Sequence, residues 1–586
     1  MNGHRTFTDI VRSRAAQSPD REALVLLSEQ DGGLRPHRLS YAELDRAARA
    51  VAAGITRYAG PGERVLILHS SRRHFVIGFL ACLYAGVIAV PAAPPGGLGR
   101  HDERIAGIVK DAAVSCVLTS RAEAPAVTQM LARSGYERLT CLPTDAPPLA
   151  DVPPPADGDM WQPPRLTPDD VAFIQYTSGS TRDPRGVIVT HRALMANNRA
   201  ISAALGTTRG SRIGGWLPLH HDMGLVGQLL HALWLGGTAV LLSPVALVKR
   251  PAHWLETVSR YGLTVSGAPD FAYDLCVRRI NDSQIAGLDL SGWRIAVSGG
   301  EPVNAKTLRA FARRFAPAGL DPRALVPCYG LAEATLLVSG SRDGSAPRTQ
   351  RLSGAGGFVT EAVSCGRPVF ADVRIVDPDT FEERAHGQIG EIWVRGASVG
   401  RGYWARPAET AATFDARIAG GSAGYLRTGD LGTLIEGELY VTGRIKDLIV
   451  VGGRNLYPQD LERTVRDVSG LFGSGTAFGV PGERERIVVI QELRAGSRYG
   501  VDLAELAAAI QRSLCEQYEV RAGGVLLVRP GTVRRTTSGK LERSTMRRLF
   551  LDGELAALHQ SIDPEVARLV AHGTRQTVGG ARGGRR

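Results

Sequence analysis

The hydrophobic positions in the first part of the chain follow two spacings in turn, which predicts helices alternating with buried strands. From Leu39 to Ile55 apolar residues recur at helical spacing, and the short apolar run from Arg64 to Leu68 favours a buried strand. Phe75 to Ala85 is apolar at almost every position and meets a helix-stopping glycine, Gly86. Because Val87 to Val90 then predicts another strand, we interpret this stretch as a helix feeding a parallel strand, not as a transmembrane helix.

The same alternation continues to about Ser339. Strand-like runs at Ala172 to Tyr176 and Thr238 to Leu242 are accompanied by helical patterns such as Trp254 to Tyr261 and Asn304 to Phe315. Strands that alternate with helices are typical of doubly wound α/β architecture. We therefore predict an α/β fold class for this part of the chain.

After about Ala371 the helical signal fades and strand patterns take over. Runs at Asp372 to Val376, Glu391 to Arg395 and Glu438 to Val441 predict a β-rich subdomain. Beyond it the pattern is mixed again and includes an amphipathic helix from Leu503 to Tyr518.

These shifts divide the chain into two predicted domains and a tail. The large N-terminal domain spans residues 1–443, with a Pro-rich connector at about 141–170 and the β-rich subdomain at about 365–443. A small α+β C-terminal domain covers residues 448–560. Residues 561–586 are predicted to form a tail, and its Gly- and Arg-rich end, 573–586, is expected to be disordered.

Composition narrows the class of protein without identifying a partner. The chain has 586 residues and a formal net charge of +12, which fits an acidic partner, a polyanionic substrate or an arginine-rich composition alone. Its seven cysteines form no CxxC pair, so neither a zinc site nor a disulfide framework is predicted. No signal peptide is evident, and we expect a cytoplasmic protein. No nucleic-acid recognition fold is apparent, so no nucleic-acid partner is expected.

A short polar loop after the strand Ala172 to Tyr176 is the first candidate for chemistry. It comprises Thr177, Ser178, Gly179, Ser180 and Thr181. Hydroxyls and backbone N–H groups in such a loop bind phosphate oxygens, although most loops of this composition are only turns. The segment does not match the GxxxxGK[ST] pattern, which disfavours a P-loop NTPase.

More motifs follow in order, and they carry most of the argument. They are Pro218 to Leu225, Ser298 to Val303, Tyr329 to Thr335, Leu426 to Leu431, Gly443 to Ile449 and Thr537 to Lys540. With the polar loop they closely resemble the signature motifs of the adenylate-forming superfamily, over Tyr41 to about Phe550. Four segments are similar in particular to fatty acyl-AMP ligases: His221 to Gly224, Ala268 to Leu275, Gly330 to Thr335 and Gly453 to Glu462.

This resemblance implies a luciferase-like, adenylate-forming fold and a ligase that uses ATP and Mg²⁺. Such an enzyme activates a fatty acid as acyl-AMP and releases pyrophosphate. It then hands the acyl group to the phosphopantetheine thiol of an acyl carrier protein, usually in polyketide or lipopeptide biosynthesis. Three alternatives stay open: transfer to coenzyme A, activation of an aryl or amino acid, and an inactive adenylate-binding scaffold. An inactive scaffold would be expected to have lost Lys540, Glu333 or Asp430, and all three residues are present.

Matching positions assign roles in adenylation. Lys540 corresponds to the catalytic lysine, which bridges carboxylate and α-phosphate, and Glu333 to the Mg²⁺ ligand. Asp430 and Arg444 correspond to the ribose contacts. Tyr329 is expected to stack on adenine beside the backbone of Gly300 and Glu301. Other residues expected to bind ATP or AMP are Pro302, Gly330, Leu331 and Ala332.

The same correspondence assigns the acyl pocket and a hinge. His221 is expected beside the substrate carboxylate, with Asp222 and Met223 in the acyl pocket. Residues 444–447 correspond to a hinge in which Lys446 is the residue about which the small domain swings. That movement would bring in Lys540 for adenylation and the Gly452-Gly453 loop for thioester formation.

Two departures from the family pattern affect these expectations. Arg185 follows the polar loop where many relatives have lysine, so we do not predict it to be essential. The segment Leu336 to Val363 is shorter than the insertion of fatty acyl-AMP ligases, which is associated with a preference for carrier protein, so coenzyme A stays an alternative acceptor. For the carrier we expect an acidic protein that docks on basic residues of the small domain: Arg534, Arg535, Lys540, Arg543, Arg547 and Arg548.

Overall fold

The computed structural model describes residues 4–30, 33–95, 99–145, 161–177, 184–340, 344–353, 359–451, 454–482, 485–495, 500–536 and 539–570. Internal contacts divide the chain into two compact units. The first comprises Met1–Arg348, Val363–Thr428 and Leu434–Tyr440, and the second comprises Thr349–Ala362, Gly429–Thr433 and Val441–Arg586. The domain boundaries and hinge expected from the sequence remain predictions.

The α-helices of the described residues, numbered in chain order, are α1 (Phe7–Gln17), α2 (Tyr41–Ile55), α3 (Arg72–Ala85), α4 (Gly99–Ala112), α5 (Ala124–Arg133), α6 (His191–Leu205), α7 (His231–Leu235), α8 (Pro244–Lys249), α9 (Ala252–Tyr261), α10 (Asp270–Arg279), α11 (Asp282–Ile285), α12 (Ala305–Phe315), α13 (Pro407–Phe414), α14 (Pro458–Asp467), α15 (Leu503–Tyr518) and α16 (Arg543–Leu551).

The strands are β1 (Glu22–Gln30), β2 (Gly33–Ser40), β3 (Arg64–Ile67), β4 (Ile88–Pro91), β5 (Cys116–Thr119), β6 (Thr140–Pro143), β7 (Val171–Tyr176), β8 (Gly186–Thr190), β9 (Arg212–Gly215), β10 (Thr238–Leu241), β11 (Val265–Ala268), β12 (Ile295–Ser298), β13 (Leu325–Gly330), β14 (Leu337–Gly340), β15 (Thr349–Ser353), β16 (Val359–Val363), β17 (Ala371–Val376), β18 (Gly390–Gly396), β19 (Leu426–Ile435), β20 (Glu438–Arg444), β21 (Ile449–Val451), β22 (Arg454–Leu456), β23 (Phe472–Val480), β24 (Arg486–Leu493), β25 (Ala522–Val528) and β26 (Ala557–Ile562).

One large sheet of the first unit has the order β6-β5-β3-β4-β7-β8. Its inner strands are parallel, and β8 closes one edge antiparallel to β7. Helix α3 stops where the sequence predicts, because Gly86 adopts a left-handed φ of 72° and lets β4 follow at once. All residues from Phe75 to Ala85 are buried. None of the helices among the described residues has the length and apolarity needed to cross a membrane.

The other large sheet of the first unit has the order β14-β13-β12-β11-β9-β10-β1-β2. The strands from β13 to β1 are parallel, whereas β2 and β14 pair antiparallel at the two edges. Helices α9, α10 and α12 connect or follow its parallel strands. The doubly wound α/β architecture predicted from the sequence is thereby confirmed.

Aromatic side chains fill the core between this sheet and its helices. Trp254 meets Tyr273 and Trp293 edge to face, with ring centroids 5.3 and 5.5 Å apart, and Phe311 contacts Tyr273 at 4.9 Å. Each such pair contributes about 0.5–1.5 kcal/mol beyond the burial of area. The cluster fixes the helices that begin at the strand ends described below. All seven tryptophans of the chain, at positions 161, 216, 234, 254, 293, 393 and 404, belong to the first unit.

Strands dominate the region predicted to be β-rich. β17, β18, β19 and β20 form a four-stranded sheet in sequence order, and β15 pairs with β16 in a separate two-stranded sheet. Arg427 donates two hydrogen bonds to one carboxylate oxygen of Glu391, at 3.0 and 2.9 Å, beside the fully buried Trp393. β15 and β16 lie within the segment where the family insertion is expected.

The second unit has a hydrophobic core of its own. Its main sheet has the order β23-β24-β25-β26, in which β24 is antiparallel to β23 and parallel to β25. Helix α15 spans the predicted residues and packs Ile510 and Leu514, both fully buried, into this core. The mixed sheet with its covering helices is an α+β arrangement.

Strand structure overlaps two of the predicted boundaries. The sequence predicts a connector from residue 141, yet Thr140–Pro143 is an edge strand in register with β5, a position that tolerates proline. The sequence also predicts a tail from residue 561, yet β26 continues to Ile562, and Val566 beyond it is fully buried. Ordered structure therefore extends past the predicted start of the tail, and residues 573–586 lie outside the described residues.

Candidate active site

The carboxyl ends of three parallel strands place the predicted nucleotide-binding motifs side by side. β11, β12 and β13 are neighbours; Ala268 at the end of β11 is paired with Ser298 at the end of β12, and Ser298 is paired with Pro327 of β13. The segment Gly300–Pro302 leaves β12 at this edge, and Tyr329 and Gly330 end β13 at the same edge. Ligands of open α/β sheets bind at such carboxyl ends. Leu331 and Ala332, both buried, continue directly from β13.

Two glycines are required at this edge. Gly300 has a φ of +83°, a left-handed conformation that glycine adopts without strain. A Cβ atom on Gly330 would lie 1.8 Å from the carbonyl oxygen of Leu336, so only glycine fits there. The two backbone segments can therefore approach a ligand closely.

Two carboxylates link helices α10 and α12. Glu301 binds the N-terminus of α10, which begins at Asp270, and Asp270 binds the N-terminus of α12, which begins shortly after Glu301. Glu301 Oε1 accepts a hydrogen bond from the backbone N–H of Phe271 at 2.6 Å. Asp270 accepts one from the backbone N–H of Asn304 at 3.0 Å and one from the hydroxyl of Thr307 at 2.9 Å. Burial, followed by the charge of Glu301, raises the pKa of Asp270 to about 7. The pair thus holds α10 and α12 together and binds a proton near neutral pH.

Glu333 lies in a short 3₁₀ helix, Ala332–Ala334, directly after β13. The hydroxyl of Tyr403 donates to Glu333 Oε1 at 3.0 Å, and the backbone N–H of Gly400 donates to the Glu333 carbonyl at 2.8 Å. Burial and the charge of Glu333 raise the pKa of Tyr403 well above its usual value, so the hydroxyl stays a donor. Sequence analysis missed Tyr403, because it lies 70 positions from Glu333 in a segment without a recognisable motif.

Thr335 has a strained backbone beside Glu333. Its φ of +70° is rare for a β-branched residue. Its buried hydroxyl donates to the carbonyl of Ser398 at 2.6 Å, which ties the turn to the loop that carries Tyr403. Strain of about 1–3 kcal/mol persists only where surrounding structure enforces it, and it clusters at functional sites.

The predicted acyl-pocket residues lie at the start of a π-helix, Met223–Leu230. Asp222 accepts a hydrogen bond from the backbone N–H of Met223 at 2.7 Å. The Met223 methyl group packs on Gly267 of β11, at 3.2 Å from the position that a Cβ of this glycine would take. Met223 therefore reaches the strand next to β12. π-Helical turns are rare and often accompany functional sites.

His221 lies in the turn before this helix, with its ring centroid 4.7 Å from that of His220. Its carbonyl accepts from the backbone N–H of Leu225 at 2.7 Å. Burial, with the nearby charges of Arg104 and His101, lowers the pKa of His220 to about 3. His220 is therefore neutral at physiological pH.

Thr177 is the described part of the predicted phosphate loop. Arg104 donates to its carbonyl oxygen at 2.9 Å, and its backbone N–H donates to the carbonyl of Arg185 at 3.2 Å. Ser178, Gly179, Ser180 and Thr181 lie outside the described residues. Arg185 forms an ion pair with Glu409 at 3.0 Å, a contact that gives it a structural partner.

The remaining predicted residues belong to the second unit. Arg444 Nε lies 2.7 Å from Asp430 Oδ1, and the Asp430 side chain is only 5% exposed. A buried carboxylate paired with an arginine can still accept hydrogen bonds from hydroxyl groups. Lys446 is the middle residue of a short 3₁₀ helix, Ile445–Asp447.

Lys540 lies three residues before the start of α16. Its backbone N–H donates to the hydroxyl of Thr536 at 3.1 Å, and its carbonyl accepts from the Thr536 N–H at 2.8 Å. The N–H of Glu542 donates to the carbonyl of Arg534 at 3.1 Å. These bonds fix the backbone of Lys540 relative to the rest of the second unit.

Two residues of the predicted basic docking surface are paired with carboxylates of the second unit. Arg543 binds both carboxylate oxygens of Glu462, at 2.7 and 2.8 Å, and the partly exposed Arg548 binds Asp552 at 3.0 Å. The guanidinium of Arg543 lies between the carboxylates of Glu462 and Asp447, whereas docking by the basic residues stays a prediction. Arg534, Arg535 and Arg547 are exposed.

The chain is similar to known proteins over most of its length. The AMP-binding enzyme family matches residues 11–404. The chain is 38% identical to the medium-chain-fatty-acid–[acyl-carrier-protein] ligase JamA of Moorena producens, over 94% of this chain and 96% of that protein. It is also 38% identical to the 4-hydroxyphenylalkanoate adenylyltransferase of Mycobacterium bovis, over 94% and 93%.

Solved structures give the same result. The fatty acyl-adenylate ligase of Legionella pneumophila, crystallised with acyl adenylate and pyrophosphate, is 35% identical, with a TM-score of 0.71 over 95% of this chain and 98% of that one. The order of the motifs, the strand edge that gathers them and these likenesses over nearly the full length agree. The chain belongs to the AMP-binding enzyme family, as a member of its fatty acyl-AMP ligase branch.

Proposed function

We propose that this protein activates a fatty acid with ATP as acyl-AMP and then transfers the acyl group to the phosphopantetheine thiol of an acyl carrier protein. The observation that carries the proposal is the gathering of Gly300–Pro302 and Tyr329–Glu333 at one strand edge, with Met223 packed against the adjoining strand β11. Nucleotide and acyl chain then meet at the carboxyl ends of β11, β12 and β13. A cytoplasmic site of action is part of this proposal.

In the first half-reaction a carboxylate oxygen of the fatty acid attacks the α-phosphorus of ATP. The bond between this phosphorus and the bridging oxygen breaks, and pyrophosphate leaves with the electron pair. Tyr329 stacks on adenine, and Asp430 with Arg444 binds the ribose. Lys540 bridges the two reacting anions, and removal of such a preorganised charge typically costs about 3–4 kcal/mol of transition-state stabilisation.

Mg²⁺ fits the donors around Glu333. Among the described residues no group of three or more His, Cys, Asp or Glu side chains forms a protein cage for a metal. Mg²⁺ does not need one, because it is commonly held by one or two carboxylates together with water and phosphate oxygens. Glu333, oriented by Tyr403 at 3.0 Å, supplies such a carboxylate. The ion would neutralise phosphate charge while the leaving pyrophosphate forms.

In the second half-reaction the thiolate of the acceptor attacks the acyl carbonyl, and AMP leaves with the carboxyl oxygen that joined them. The hinge at 444–447 swings the small domain, residues 448–560, between the half-reactions, with Lys446 as its pivot. His221 lies beside the reacting carboxyl group. Coenzyme A is the alternative acceptor, because the segment from Leu336 to Val363 is short for a fatty acyl-AMP ligase.

A second candidate substrate class is an aryl-bearing acid. It is favoured by the relative from Mycobacterium bovis, whose name specifies 4-hydroxyphenylalkanoate, at the same 38% identity as the fatty-acid ligase. Both substrates would be activated by the same chemistry. They differ in what the acyl pocket near Met223 accommodates.

The test is a product analysis by mass spectrometry. The purified protein is incubated with ATP, Mg²⁺ and either fatty acids of several lengths or 4-hydroxyphenylalkanoates, and then receives coenzyme A or a phosphopantetheinylated carrier protein. We expect fatty acyl-AMP that persists with coenzyme A and is consumed by the carrier. Rapid acyl-CoA formation would make the protein a synthetase, and a lack of any acyl-AMP would refute the proposal. The Lys540→Met variant is the matched control and should form acyl-AMP about 100- to 1,000-fold more slowly.

A further inference from the structure

The proposed hinge lies between two ion pairs of the second unit. On its N-terminal side Arg444 is paired with Asp430 at 2.7 Å. On its C-terminal side Asp447 is paired with Arg543 at 3.3 Å. Only Ile445 and Lys446 separate the paired residues. They form a single 3₁₀ turn, whose hydrogen bonds have poorer geometry than those of an α-helix.

The pair on the C-terminal side is anchored in the core of the second unit. Arg543 places two N–H donors on the two oxygens of Glu462, at 2.7 and 2.8 Å, and a third on Asp447. Glu462 also accepts from the backbone N–H of Ala477 on β23 at 3.0 Å, and its side chain is only 4% exposed. A bidentate arginine held this way has little freedom to move. Asp447 is therefore attached to a rigid part of the unit.

The same arginine is close to the catalytic lysine along the chain. Arg543 is the first residue of α16, three positions after Lys540. The segment from Lys540 to Glu542 is hydrogen-bonded to the backbone of Thr536 and Arg534. A continuous path of short covalent and hydrogen-bonded links thus joins Lys540 to Asp447.

We propose that Arg543 is a positioning residue that fastens the C-terminal side of the hinge to the turn carrying Lys540. The backbone then rotates only at Ile445 and Lys446, and Lys540 moves together with Asp447. This inference rests on the proposed function, in which Lys446 is the pivot and Lys540 acts in adenylation. It goes beyond that function by assigning the limits of the hinge and the side chain that sets one of them.

Arg543 has two ion-paired arms, one to Glu462 and one to Asp447. Together they allow a positioning role to be distinguished from simple stabilisation of the unit. The arm to Glu462 is almost fully buried, so its loss would damage the fold of the unit. The arm to Asp447 is longer, and the two side chains are 17% and 23% exposed. If this pair is lost, Arg543 keeps both hydrogen bonds to Glu462, so no buried charge is left unpaired and the fold of the unit should be retained. Removal of the Asp447 arm should therefore change the hinge more than the stability.

The experiment compares Asp447→Asn with Asp447→Glu, which keeps the charge. The matched control is Asp552→Asn, which breaks the pair between Arg548 and Asp552 on the same helix, away from the hinge. Hydrogen exchange of peptides covering residues 441–451 reports the hinge directly. Single-turnover rates of acyl-AMP formation and of acyl transfer, and the unfolding temperature, are measured on the same full-length proteins.

For Asp447→Asn we expect exchange at 445–449 to rise several-fold, as local opening becomes easier. Acyl-AMP formation should slow about fivefold, because Lys540 is then held less firmly in its reacting position. Asp447→Glu should restore both values, and Asp552→Asn should resemble the wild type. The unfolding temperature should change little.

Two results would overturn the inference. The first is an Asp447→Asn variant with unchanged exchange and rates although the wild type forms acyl-AMP; in that case the proposed function stands. The second is a loss of protection over the whole second unit with a lower unfolding temperature, which would make the pair structural. If the wild type forms no acyl-AMP, the proposed function fails, and the exchange data alone still decide whether Asp447 limits the hinge.

Discussion

The proton bound by Asp270 makes the stability of the first unit depend on pH. Its pKa is about 7 in the folded protein and about 4 in an unfolded chain. Between these values the folded state holds a proton that the unfolded state has lost. The free energy of unfolding therefore falls as pH rises from about 4 to 7 and then levels off. We expect Asp270→Asn to remove this decrease, because the amide is neutral and can still accept from the Asn304 N–H.

The measurement is urea unfolding of the wild type and of Asp270→Asn at several pH values. The advantage of the variant should grow from pH 4 to pH 7 and stay constant above it. Asp20→Asn, at an exposed position, serves as the control and should give parallel curves. An advantage that does not change with pH would show that Asp270 carries no proton in the folded state.

The hydroxyl of Tyr403 orients Glu333 and should affect metal binding. Loss of the outer partner of a metal-ligating carboxylate typically weakens the site about 10- to 100-fold. We expect Tyr403→Phe to need about tenfold more Mg²⁺ for half-maximal acyl-AMP formation, with little change in stability. A Mg²⁺ titration checks this, with the exposed Tyr58→Phe as control. An unchanged requirement for Mg²⁺ would mean that Tyr403 only packs against the turn.

The sequence predicts site residues that lie in motifs, but it does not predict residues that only the folded chain brings to the site. Gly300, Glu301, Tyr329 and Gly330 were predicted, and the structure gathers them at one strand edge. Tyr403 could not be predicted, because its contact with Glu333 spans 70 positions. Their functional roles stay predictions until tested.

Among the elements, the segment after β26 belongs to the core of the second unit. Val566 is fully buried beside Phe478 and Leu526 of the main sheet. We expect Val566→Ala to lower the free energy of unfolding by about 1–3 kcal/mol, as is usual for deletion of buried methyl groups. Val450→Ala, at a site 45% exposed in the same unit, should cost much less. Chemical denaturation followed by circular dichroism compares them, and equal losses would contradict the burial of Val566.

Elements with local signals were predicted well, and elements that depend on distant partners were not. Gly86 predicts the end of α3, because a glycine with a left-handed backbone stops a helix. The short strand Thr140–Pro143 has no such signal, because its proline-containing sequence becomes a strand only when β5 offers a parallel edge. The same holds for β26, which relies on pairing with β25.

For the whole molecule, the net charge of +12 favours an acidic acceptor. Arg534 and Arg547 are exposed and lie near Lys540 in the sequence. We expect the double variant Arg534→Glu and Arg547→Glu to slow acyl transfer to an acidic carrier protein about tenfold at low salt, and less at high salt. Acyl-AMP formation should be unaffected.

Stopped-flow transfer assays at two ionic strengths provide the measurement. Arg57→Glu, an exposed charge reversal in the first unit, is the matched control and should transfer at the wild-type rate. If the double variant transfers as fast as this control at every salt concentration, the carrier docks elsewhere.

The uneven placement of tryptophan determines what an optical experiment can detect. Because all seven indoles belong to the first unit, tryptophan emission follows the unfolding of that unit alone. Far-ultraviolet ellipticity follows the helices and strands of both units. Coincident transitions by the two probes would mean that the units unfold cooperatively, whereas separate midpoints would measure how independently they fold. Nucleotide that merely stabilises the second unit would leave the emission curve in place and shift only the ellipticity.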